Sequence, residues 1–132
     1  MKRLVVRGSL VGLMAIVAIA WTTTPAYAIK EFFAEFESRY VKHNSRKRVD
    51  VALAKAVDEA KCTICHPGDD KHKLTAYGTE IAKLVNKFDK EKKKKIQDAL
   101  ERAATMHSDS YNSKSPTFGT QLRQGKLPEG PE

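Results

Sequence analysis

The run Cys62-Thr63-Ile64-Cys65-His66 constrains this chain more than any other stretch. Three chemistries use part of it. A thiol–disulfide redox pair needs C-x-x-C alone and leaves the histidine unexplained. Half of a zinc site would need further ligands, with His72 or His107 supplying nitrogen. The whole pattern, C-x-x-C-H, is the attachment signature of a c-type haem. Two thiols add across two porphyrin vinyl groups, two intervening residues match their separation, and the adjoining imidazole lies under the iron. Only that reading uses all three residues. Cys62, Cys65 and His66 are therefore the expected attachment set for one covalent haem c, with His66 as proximal iron ligand.

The first 28 residues read as a signal peptide. Lys2, Arg3 and Arg7 form a positive start, Leu10 to Trp21 an apolar core, and Ala26-Tyr27-Ala28 the small-x-small pattern cleaved after Ala28. A retained anchor is the alternative, but the uncharged run is short for a span of roughly 20 residues. Export to the periplasm, or an equivalent extracytoplasmic compartment, suits haem attachment. With both cysteines committed to haem, no disulfide remains to be made.

Residues 29–132 then form one small domain. A chain of this size has a limited core, and a covalent porphyrin would supply apolar surface for helices to pack on. The signal holds three basic residues and no acidic one, so its loss lowers the formal charge from +8 to +5. In an exported protein this balance excludes nucleic acid. It points instead to an acidic protein face or anionic lipid.

The mature chain reads as all-α. Phe32, Phe33, Phe36 and Tyr40 make an aromatic stripe on a first helix over 30–41, suited to packing on the next helix or on porphyrin. A second helix over 49–61 carries Val49, Leu53, Ala56, Val57 and Ala60 on one face and leads into the cysteine motif. Pro67-Gly68 marks a turn. A third helix is expected over 74–88, from Tyr77, Ile81, Leu84, Val85 and Phe88. Asp89 is the expected cap of a fourth, in which Ile96, Leu100 and Ala103 face the core. The run Lys92 to Lys95 suits a solvated face better than a docking patch. Ser115-Pro116 opens a last helix that Gly125 stops.

Lys61-Cys62-x-x-Cys65-His66, Ala76-Tyr77-Gly78, Ser115-Pro116-Thr117-Phe118-Gly119 and Gly125-Lys126-Leu127-Pro128 together resemble the small exported mono-haem cytochromes c of planctomycetes, including those of anaerobic ammonium-oxidising bacteria. The resemblance implies a small cytochrome c-like helical domain packed around one covalent haem, with an extra N-terminal helix. It also implies redox partner proteins and a homo- or heterodimer with another small cytochrome. Some relatives place a cysteine opposite the histidine. The chain has no third cysteine, so that ligand pair does not transfer.

The distal ligand is open among Met106, His107, His43 and His72, or a vacant position. Met106 is favoured, because the fourth helix carries it toward the expected haem core and a thioether suits an electron carrier. No cluster of acid–base residues accompanies the motif, so an enzyme is not expected. Single-electron transfer between redox partners is the first reading, and binding of nitric oxide or carbon monoxide at a labile sixth position the second. Stable membrane insertion is not expected, and mass spectrometry of the exported protein should find Ile29 as the first residue. Retention of Met1 on membrane-bound protein would make the leader an anchor.

Overall fold

Between Lys30 and Ala60 the apolar positions recur at three- and four-residue steps with no proline among them, and two helices result. The computed structural model describes residues 29–68 and 70–131; the expected signal peptide, 1–28, lies outside them. Helix α1 spans Lys30–Tyr40 and α2 spans Arg48–Ala60, followed at once by a 3-10 turn, Lys61–Ile64. Helix α3 is Ala76–Ala82, a second 3-10 turn is Lys87–Asp89, α4 is Lys93–Ala104 and α5 is Phe118–Arg123. Among the described residues there is no strand, only an isolated antiparallel bridge between His107 and Thr117. None of the described helices is long and apolar enough to cross a membrane. The all-α expectation holds.

Helix α4 is the centre of the packing. Its Ile96, Ala99, Leu100 and Ala103 are buried, and it packs against α1, α3 and α5. Burial of a side chain such as Ile96 or Leu100 contributes roughly 1.5–3 kcal/mol. Leu53 and Val57 bring α2 into the same core. Tyr77 lies fully buried in the middle, edge-on to Phe118 at 5.2 Å and to Phe36 at 6.0 Å between ring centroids.

Three expected boundaries move. The third helix stops at Ala82 rather than reaching residue 88, because Asn86 is extended and its side chain accepts a hydrogen bond from Phe88 N (2.9 Å). That local bond competes with helix continuation. Phe88, the last member of the expected stripe, is consequently 77% exposed. The last helix begins at Phe118 and is capped by Thr117, not by Ser115. Pro116 O accepts from Ser108 N and Ser115 Oγ from Asp109 N, so both residues are already used in a loop clasp. Gly125 does end α5, with φ +76°.

Asp89 is the third correction. It does not cap α4, which starts four residues later with Lys92 as its unassisted N-cap. Asp89 instead completes a capping box with Asn86 around the second 3-10 turn. Three lysines in the first turn of α4 stand at the positive end of its dipole, where cations are disfavoured. Acidic groups around them offset this. Asp89, only 2% exposed, takes Lys92 Nζ at 2.9 Å and Lys95 Nζ at 2.7 Å. Buried Glu35 on α1 lies 3.8 Å from Lys93 Nζ and accepts from Gln97 Nε2 at 2.8 Å. Lys94 faces Asp98 at 3.6 Å. The lysine run is thus tied to carboxylates of its own chain.

The hydrogen bonds from Lys95 and Lys92 hold the Asp89 carboxyl well below its ordinary range. A carboxylate depressed in the folded state contributes stability above its unfolded value, about 3.9, and loses it as pH falls from there toward the folded value. Asp89→Asn should therefore lower the urea midpoint at pH 7, and the gap to the wild type should narrow steadily below about pH 4. Parallel denaturation curves at pH 7 and pH 3 check this; an equal gap at both would place the stabilising charge elsewhere.

Candidate functional site

Helix α2 delivers the cysteine motif and then stops abruptly. Lys61, its C-cap, has φ +48°, which a non-glycine residue rarely adopts, and from there the chain turns into the 3-10 segment. Within it Cys62 O accepts from both Cys65 N (3.2 Å) and His66 N (3.1 Å), closing the five residues into one tight turn. Cys62 is exposed and Cys65 half-buried, and neither is in a disulfide. Burial pushes the Cys65 thiol up to about 12, and the neighbouring Cys62 adds to the rise. The negative end of α2 also disfavours thiolate. A redox-active C-x-x-C pair needs the opposite, a lowered thiol.

His66 is buried, and its Nδ1 lies 2.9 Å from Lys73 O. A carbonyl only accepts, so Nδ1 is the donor, and Nε2 is the ring nitrogen left for another partner. This is how an imidazole is oriented as a metal ligand through its second nitrogen.

Thr75 fixes the turn to the next helix. Its N–H donates to Cys65 O (2.9 Å), its hydroxyl donates to Ile64 O (2.8 Å), and the same oxygen accepts from Gly78 N (3.0 Å) as the N-cap of α3. Gly78 allows the approach: a Cβ there would lie 2.3 Å from Cys65 O.

The motif opens onto a cavity of about 360 Å³, within the range of cofactor sites. Phe32, Phe33 and Phe36 of α1 form one wall, Cys62, Cys65 and His66 another, and Ile81 and Val85 continue from α3. Leu100 of α4 also lines it, and Asn86, Lys87 and Phe88 border it from the second 3-10 turn. The donor set fits the expected haem: two thiols one turn apart, an oriented imidazole beside them and apolar side chains around. The zinc alternative gains no support. Among the described residues no three His, Cys, Asp or Glu side chains could hold a metal together.

The proposed distal ligands are not at this cavity. Met106 is 44% exposed, and its backbone carbonyl accepts from Phe118 N. His107 is exposed and its Nδ1 lies 2.6 Å from Ser115 O. His43 lies 4.0 Å from Glu37 at the surface, and His72 sits on an exposed turn. None of the four lines the cavity.

Sequence reasoning identified the three motif residues but gave no role to Thr75, Gly78 or the Lys73 carbonyl. A signal existed for the first two: threonine is a preferred N-cap, and a glycine inside a short helix marks a close approach. No family model matches the chain, and neither does any curated protein or solved structure.

Gly78→Ala should force the Cys65 backbone away from α3 and lower stability by about 1–3 kcal/mol, read as a shift in the urea midpoint. An unchanged midpoint would show that the contact is loose.

Proposed function

We propose that the protein is an exported c-type cytochrome that transfers single electrons between redox partners. One observation carries the reading: Cys62, Cys65 and His66 all line a single apolar cavity at the end of α2. Haem held there supplies a one-electron ferric–ferrous couple. The chain's part is to anchor and orient. Cys62 and Cys65 would provide the two thioether positions, and the Lys73 carbonyl engages Nδ1 of His66, leaving Nε2 as the nitrogen that would bind iron. The phenylalanines of α1 and the apolar residues of α3 exclude water. An acidic partner face would meet the mouth at Phe88, with Lys90 beside it, rather than the lysine run, whose charges are already paired.

A second reading rests on a separate observation. Because Met106, His107, His43 and His72 all stand away from the cavity, an iron at His66 would have a labile or open sixth position and bind a small gas such as nitric oxide or carbon monoxide.

Haem staining after denaturing electrophoresis tests attachment. The wild type should stain, and Cys62→Ala or Cys65→Ala should sharply reduce mature protein, since the bare chain lacks part of its core. Spectra of the ferric and ferrous protein with and without carbon monoxide then separate the readings. Slow or absent carbon monoxide binding supports a filled sixth position and electron transfer; rapid binding moves the function to the gas.

A further inference from the structure

The cavity is asymmetric in charge. No aspartate or glutamate lines it, and its cations are Lys61 and Lys87. They stand at different ends. Lys61 adjoins Cys62, whereas Lys87 follows the run that starts at Gly78, against Cys65, and leaves along α3. Helical bonding persists just past the end of α3, where Val85 N–H donates to Ile81 O, and at about 1.5 Å per residue the run from Gly78 to Val85 rises about 10 Å before Asn86 and Lys87.

The second end offers two donors, both on exposed residues. Lys87 makes no ion pair among the described residues, and its ammonium lies 5.2 Å from the centre of the Phe88 ring. The Asn86 side-chain oxygen is occupied by Phe88 N, so its amide nitrogen is the donor left for a ligand. The other charged groups at this end are Asp89, whose carboxylate accepts from Asn86 N and is paired with Lys92 and Lys95, and Lys90 and Glu91, which share an adjoining groove with Lys87 and Phe88.

Resting on the haem reading above, we infer that Lys87, assisted by the Asn86 amide, binds a porphyrin carboxylate. The chemistry of the ring requires this polarity. Its vinyl groups and its two propionates lie on opposite edges, so thioether bonds at Cys62 and Cys65 direct the propionates to the end remote from the cysteines. Lys87 is therefore a positioning residue that sets the local field at the ring, and Lys61, on the vinyl edge, is not.

The test is a potentiometric titration of the holoprotein across pH for the wild type, Lys87→Gln, Lys87→Glu, Lys61→Gln and Lys90→Gln, each preparation also stained for covalent haem. Loss of a cation beside the ring favours the ferric form. Lys87→Gln should lower the reduction potential, and Lys87→Glu should lower it further. The pH step in potential that marks propionate ionisation should move up by about one unit or more in Lys87→Gln, because a paired carboxylate has lost its cation. Smaller shifts in Lys61→Gln and Lys90→Gln would support the assignment. Stained protein whose potential and pH step are unmoved by the Lys87 variants, or moved as much by Lys61→Gln or Lys90→Gln, would overturn it and leave the haem reading intact. Unstained wild type would overturn both.

Discussion

Everything at the candidate site depends on how Thr75 joins two stretches of chain whose unmet hydrogen-bonding groups complement each other. The 3-10 turn leaves the carbonyls of Ile64 and Cys65 without helical partners, and α3 begins with unpaired N–H groups, as all helices do. One threonine satisfies both by giving its N–H and hydroxyl to the turn and its oxygen to the helix. The deficit of one element becomes the cap of the next. Gly78, one turn on, lets the backbones close to contact.

From that joint the rest of the cavity follows. With α3 pinned at its start, Ile81 and Val85 fall along the wall, and the chain must then reverse to reach α4. The reversal is made by Asn86 and Asp89, each capping the other. Asp89 also meets Lys92 and Lys95, so one buried carboxylate both closes a turn and counters charge at the start of the central helix. Two neutral hydrogen bonds in its place would close the turn but leave the helix start uncompensated.

The parts of this architecture legible in the sequence were those written in periodicity or in a fixed motif. The stripe Ile96, Leu100 and Ala103 is buried as its spacing implied, and so are Tyr77, Ile81 and Val85. The motif residues share one cavity. What escaped was settled by short-range competition that periodicity does not encode. Phe88 continues the spacing of α3 but lies beyond the Asn86 turn, so it ends at the surface. Ser115 and Pro116 look like a helix start but serve the loop from Ser108. Met106 has the right chemistry for a ligand, yet it lies two residues beyond α4, is 44% exposed and does not line the cavity. Lys73 could not have been singled out at all, since its contribution is a main-chain oxygen.

That last point bears on how the site can vary. The acceptor that orients His66 belongs to the backbone, and every amino acid at position 73 would carry the same carbonyl. Substitution there leaves the imidazole's partner in place, whatever happens to the lysine side chain. The vulnerable quantity is the length of the segment from Pro67 to Leu74, because one residue more or fewer would move the carbonyl off the ring. The demand at position 73 is thus one of chain length and not of side-chain chemistry.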